Sequence, residues 1–355
     1  MTEQALESVL GDWRARGRVV VAIPDATRPL DVRPALKALR DRISGEMTVV
    51  IGLGLHRPMT PTELAPLAPW RPIQSDPDDV VETAVVDGIP GQVSRAIVGA
   101  DRVVSVGVCE LHQYAGLSGG HKGVSVGCGG RATISALHAR ARVLAPGVRL
   151  GQVEGNPFRA AVDVLGRTAG CTDSLVWVPG AGRWLWGPAD GVVTRAAALL
   201  DPWEPVDSLA DGAVLHVPDA KAGSLYQASR AATYLALSPR PPVRAGGTLV
   251  LRAACPEGLG SEVGFRRALG SCPPPWTALL QGPEPAGAGA QRAVVLALMA
   301  RRYRLVVAGA DDPEALSAVG IDTIRQAPTG PGWLQVRRPF ERLPQLVGQK
   351  LTRPT

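Results

Sequence analysis

The chain has 355 residues, 45% of them hydrophobic, with 41 Gly and 32 Pro and a formal net charge of +6. That length exceeds one ordinary core and that apolar content excludes a disordered chain, so two globular domains are expected. No apolar run approaches the roughly 20 residues of a membrane span, and the opening MTEQALESVLGDWRARG lacks a basic-then-apolar leader, which predicts a cytoplasmic protein without a membrane partner.

The five cysteines are odd in number and form no CxxC pair, so neither a disulfide scaffold nor a thiolate zinc site is indicated. The arginines are scattered with no aromatic interleaving, which argues against a nucleic-acid partner and for mild attraction of small anions. Only four lysines and five histidines occur, so each one inside a motif carries weight.

In chain order, RVVVAI (18–23) reads as a buried strand, followed by the loop PDATRP and a helix over 32–43. Residues 47–53 form a second strand. Thr60-Pro-Thr-Glu63 resembles a capping box opening a helix. Further strands are expected at 81–86 and 102–106, and residues 131–140 read as a short helix bearing His138. DPWEP (201–205) looks like a connection. Beyond it, strands at 213–217, 247–253 and 304–308 alternate with helices at 224–236, 292–302 and 313–319, around a Pro/Gly loop at 270–289. The expectation is two α/β domains with parallel or mixed sheets and an interdomain active-site cleft. The N-terminal domain would cover 1–205 and a smaller one 206–334, with a tail at about 335–355 packing back on the first.

Ligands of open α/β sheets bind beyond the carboxyl ends of strands, and three polar motifs occupy that position. They are Asp25-Ala-Thr27-Arg28-Pro29, His56-Arg-Pro-Met-Thr60, and the stretch from Glu110 through His112 to Ser118-Gly119-Gly120-His121-Lys122. A phosphate loop with its lysine at Lys122 is excluded: Gly116 is in place, but His121 and Gly123 stand where Gly and a hydroxyl are required. No GxGxxG follows a strand.

These residues resemble the nickel-dependent lactate racemase family, whose members carry a nickel-pincer nucleotide. The family's DxTRP stands at 25–29, HRPMT at 56–60, H-x-x-A-G-x-S-G-G-x-K at 112–122, GNP at 155–157, LYQ at 225–227 and C-x-E-G-x-G-S at 255–261. The resemblance implies a racemase or epimerase of 2-hydroxy acids working by proton-coupled hydride transfer to and from the nickel-pincer nucleotide, a nickel-bearing pyridinium thioamide/thiocarboxylate mononucleotide. It implies Lys122 as the covalent tether and His138 as the one protein ligand to nickel. It further implies His56 and His112 as the acid/base pair and Arg28, Gln227 and Arg230 as substrate contacts. Asp25, Thr27, Ser118, Gly119, Gly120 and Tyr226 would bind the cofactor. Partners would be a small anionic 2-hydroxy acid and, transiently, the cofactor-synthesis enzymes. The family commonly has Lys where this chain has Arg230, which points to a substrate bulkier or more acidic than lactate, a sugar acid included. The alternatives are a sugar-acid epimerase with the same hydride shuttle and a non-catalytic binding paralogue without cofactor.

Hydride removal suits this chemistry because a carbanion beside a carboxylate would add charge to an anion, whereas loss of hydride and a hydroxyl proton leaves a neutral ketone. Histidine titrates near operating pH and serves in both directions. Simpler roles stand beside these: Asp25 and Thr27 as helix caps, His121 and His216 as packing or surface residues, Cys255 as a packed turn residue, and the tryptophans as core. Glu257 could cap a helix or line the cleft.

Overall fold

The computed structural model describes residues 3–28 and 30–347; Pro29 and the tail residues 348–355 lie outside them. Two compact units divide the chain, residues 1–200 and 201–355.

The first unit is organised by strands β1 (Ala15–Pro24), β2 (Ile43–Gly52), β3 (Ile73–Gln74), β4 (Arg102–Val108), β5 (Cys171–Val178) and β6 (Arg183–Pro188). They lie in the order β6-β5-β4-β1-β2-β3, all neighbours parallel except the antiparallel β5/β6 pair. The run RVVVAI is buried on both faces, as parallel strands in a sandwiching fold must be. Val19, Val21 and Ile23 pack with Leu6, Leu36 and Leu39, while Val20 and Ala22 pack on the opposite face with Val50, Val124 and Cys128. Each such side chain, removed from water completely, contributes roughly 1.5–3 kcal/mol.

This layout corrects several sequence expectations. Val80–Val86 stays out of the main sheet and forms an antiparallel hairpin with Ile89–Ser94, and none of its residues is fully buried. β5 and β6 were not anticipated from the sequence; the Trp177 and Trp184 rings pack tilted with centroids 5.6 Å apart, which agrees with the packing role read for the tryptophans. The capping box at Thr60 is present, but its helix Pro61–Leu64 is a single turn that passes into a 3-10 segment at Ala65–Trp70.

The second unit carries β7 (Ala210–His216), β8 (Val243–Arg252), β9 (Arg304–Ala308), β10 (Asp322–Ile324) and β11 (Trp333–Val336) in an all-parallel sheet of order β10-β9-β8-β7-β11. Its main helices, Leu225–Ala236 and Ala290–Ala300, are buried along most of their length. The tail segment Leu343–Leu346 pairs in parallel with Trp203–Val206. No described helix is long and apolar enough to cross a membrane.

Candidate active site

In the first unit the chain runs from β1 to β2 on one side and returns to β4 on the other, so strand order reverses between β1 and β4. Loops at such a reversal diverge and leave a crevice beyond the carboxyl ends. The three polar motifs follow β1, β2 and β4, the three strands at that point.

Asp25, at the end of β1, is 7% exposed, and its Oδ2 lies 2.6 Å from Nδ1 of His56 in the loop after β2. Its Oδ1 accepts from the Thr27 hydroxyl at 2.6 Å and the Thr27 amide at 3.1 Å. Burial alone would raise the Asp25 carboxyl; the hydrogen bond and charge of His56, helped by Thr27 and the charge of Arg28, override it and hold the group well below the usual carboxylate range. Asp25 is therefore the acceptor, His56 carries its proton on Nδ1, and Nε2 is left as the basic nitrogen. The sequence expectation that Asp25 and Thr27 cap the next helix is corrected: Arg33–Arg40 begins at Val32 with no side-chain cap. Arg28 is half-buried, its amide bonded back to Asp25 O at 3.2 Å.

His112 lies in a tight hairpin in which Leu111–His112 pairs with Gly116–Leu117. Its Nδ1 accepts from the amides of Tyr114 (3.3 Å) and Ala115 (3.1 Å). His138 closes the helix Arg131–Leu137, and its Nδ1 lies 2.8 Å from the Ile134 carbonyl, to which it must donate. Tyr114 joins the two histidines, its ring edge-on to His112 at 5.8 Å and to His138 at 5.6 Å between centroids. Phe158 completes the cluster, 5.4 Å from His138 and 5.6 Å from Tyr114.

Lys122 opens the short helix Lys122–Ser125, which packs on β1 and β4 through Val124. The loop of His56 is fastened to the end of that helix, since Gly54 N donates to Gly127 O at 2.7 Å. Ahead of Lys122, the Ser118 hydroxyl donates to Val108 O (2.6 Å) and accepts from Glu110 N (3.0 Å), so it anchors the loop. Gly119 and Gly120 have φ of +90° and +64°, and a Cβ there would meet Val176 at 2.9 Å and Val193 at 2.8 Å. Those contacts face the interior, so the glycines serve close packing on β5 and on the helix Ala189–Ala197. Arg159, itself ion-paired with Asp163, donates to Gly119 O at 3.2 Å. His121 is 1% exposed and bonds Asp190 at 3.0 Å; burial outweighs that bond and lowers its pKa, so it is a neutral packing residue, one of the two readings the sequence allowed.

In the second unit, the start of the Leu225–Ala236 helix is stitched to the 255–261 turn. Leu225 N donates to Gly258 O, Tyr226 N to Leu259 O, and Glu257 N to Gly223 O. The LYQ and C-x-E-G-x-G-S motifs thus form one structure. Arg230 lies over the Tyr226 ring at 5.5 Å, and the Gln227 Oε1 is buried without a hydrogen-bond partner. Cys255 sits at φ 47° in the turn with its thiol pushed up to about 12 by burial, which suits packing and not nucleophilic attack. His216, the other unmatched histidine, bonds Gln335 at 2.9 Å.

Residues 3–151 match the family described as the lactate racemase N-terminal domain. The lactate racemase of Thermoanaerobacterium thermosaccharolyticum is 28% identical over 179 residues, 44% of this chain and 42% of that protein. The lactate racemase of Lactiplantibacillus plantarum is 26% identical over 189 residues, 47% of this chain and 44% of that protein. The chain therefore matches less than half the length of these curated relatives. In fold it is similar to the lactate racemase apoprotein of T. thermosaccharolyticum, with a TM-score of 0.82, 18% identity and coverage of 97% of this chain and 92% of that one. A Thermotoga maritima protein superposes with a TM-score of 0.73 at 15% identity, covering 98% of each chain.

The donor set of the first unit bears on the nickel cofactor that the resemblance implies. The described residues contain no group of three or more His, Cys, Asp or Glu able to hold a metal. A nickel ion at His138 would need its remaining donors from a cofactor. The His138 Nδ1–H bond to Ile134 O makes Nε2 the lone-pair nitrogen, the form in which imidazole ligates a metal and the usual outer-shell support for it. The residues present fit the group. Sequence reasoning missed Tyr114 and Phe158 and gave Asn156 no task. The one available signal was position: Tyr114 lies two residues beyond His112, and Phe158 follows the GNP turn directly.

Proposed function

We propose that this chain is an isomerase, a racemase or epimerase acting on a small 2-hydroxy acid, with a nickel-pincer nucleotide held by Lys122 through its amine and by His138 through Nε2. The observation that carries the reading is the Asp25–His56 pair at the reversal of strand order. A buried carboxylate held ionised against Nδ1 makes His56 Nε2 a base and stabilises the imidazolium that forms when it takes a hydroxyl proton. Arg28, on the adjoining loop, offers the planar bidentate donor that a substrate carboxylate needs. His112 serves the substrate oxygen as the second histidine. When bound, the cofactor supplies the acceptor for the Cα hydride, so that no carbanion forms beside the carboxylate. A planar ketone would have no handedness of its own, and His56 and His112 would hold and return the hydroxyl proton when either enantiomer is rebuilt.

The test is production of the chain together with cofactor-synthesis enzymes, followed by intact mass, nickel content and a panel of single-enantiomer 2-hydroxy acids that includes sugar acids. The expected result is a mass increase at Lys122, bound nickel and loss of optical activity with one acid class. An unmodified Lys122 without nickel would refute the reading.

A further inference from the structure

The two histidines proposed to serve the substrate oxygen are polarised in opposite senses. His56 donates its Nδ1–H in a hydrogen bond to a carboxylate, whereas His112 Nδ1 accepts from two backbone amides. A proton on His112 Nδ1 would point at two N–H groups, so the ring proton belongs on Nε2. The Ala115 amide that bonds Nδ1 shares a peptide plane with the Tyr114 carbonyl; the two bonds point in opposite directions along that plane and their dipoles add.

The far end of that peptide is held. Asn156, 2% exposed, donates from Nδ2 to Tyr114 O at 2.8 Å and to Gln152 O at 2.9 Å, while its Oδ1 accepts from Arg159 N and caps the helix Pro157–Thr168. The hairpin cannot relax around it: Gly116 has φ +72°, Gly151 N bonds Gly116 O at 3.0 Å, and a Cβ on Gly116 would fall 1.9 Å from Gln152 O. An amide donor on the carbonyl strengthens the N–H at the other end of the same peptide, since hydrogen bonds in a chain polarise one another.

We infer that Asn156 is a positioning residue which, through the Tyr114–Ala115 peptide, locks His112 as an Nε2–H donor toward the substrate oxygen, while His56 faces that oxygen as acceptor. The clause about substrate rests on the racemase reading; the tautomer and its control by Asn156 do not. In function the two histidines are then unequal. His56 starts as the acceptor of the hydroxyl proton, and His112 starts as the hydrogen-bond donor to the oxygen.

The experiment is NMR of the apoprotein carrying 15N in histidine and backbone. The unaltered chain is expected to show a protonated Nε2 and a bare Nδ1 for His112, with a through-hydrogen-bond coupling from the Ala115 amide to Nδ1. Asn156→Asp keeps the capping oxygen and lacks the amide donor, so this coupling is lost while the helix and the Arg159 amide signal persist. Asn156→Ser, a shorter cap, gives the same loss and serves if the Asp variant does not fold. A proton on His112 Nδ1 in the unaltered chain, or a coupling that survives in the folded variant, would overturn the inference. In cofactor-loaded protein, Asn156→Asp lowers kcat at least tenfold with KM changed less than threefold; equal losses in both would also overturn it. A chain with the locked tautomer but no turnover on any 2-hydroxy acid would instead sink the racemase reading alone.

Discussion

Replacing Asp25 by Asn tests the base directly. The Asp25–His56 contact is 2.6 Å long and Asp25 is only 7% exposed, so water cannot take the place of the carboxylate. A hydrogen bond to a charged group is worth about 1.5–3 kcal/mol. At about 1.4 kcal/mol per factor of ten, its loss slows proton removal about 10- to 150-fold. An Asn amide turned toward Nδ1 would donate to it and move the ring proton to Nε2, which would enlarge the loss. The assay is polarimetric racemisation of the responsive acid by cofactor-loaded protein, with intact mass confirming the Lys122 adduct. A rate within about twofold of the unaltered chain, with the adduct present, would refute the reasoning. The same variant has a stability signature. The folded carboxyl of Asp25 sits below its unfolded value, so the stability it contributes is fully present above about pH 4 and is lost as pH falls through the folded value. Urea titrations should therefore show the unaltered chain's advantage over Asp25→Asn shrinking below pH 4.

Three further outcomes are expected. Gly116→Ala puts a side chain at φ +72° and against Gln152 O, and should destabilise the first unit by at least about 2 kcal/mol in denaturant unfolding. His138→Ala should leave the Lys122 adduct detectable by mass while nickel, measured by elemental analysis, falls at least tenfold. Burial raises the thiols of Cys109, Cys128, Cys171 and Cys255, the first two and the last to about 12, whereas Cys272 is partly exposed. A thiol reagent should accordingly titrate one cysteine in the native chain and five after unfolding.

The fold class and the positions of the motifs were legible because they rest on local signals. An all-apolar run such as 18–23 reads as a doubly buried strand, and the polar residues after it must then sit at a strand's carboxyl end. Contacts set by strand order were not legible. Asp25 and His56 are 31 residues apart, and only the adjacency of β1 and β2 brings them within a hydrogen bond. Tyr114 read as a spacer within a motif because its ring gains meaning only when His138 arrives from a different helix. The strand expected at 81–86 lies in a separate hairpin and not in the main sheet, because strand propensity does not say which sheet a strand joins. β10 and β11 were missed for a plainer reason: they are three and four residues long, shorter than the patterns that reveal strands.

The inward-facing glycines ahead of Lys122 have an evolutionary consequence. Any side chain acquired at 119 or 120 would collide with Val176, Val193 or the Arg159 guanidinium, so the stretch that carries the lysine has almost no neutral substitutions open to it. Divergence among relatives of this chain must therefore fall on other segments, and Lys122 keeps its position while they change.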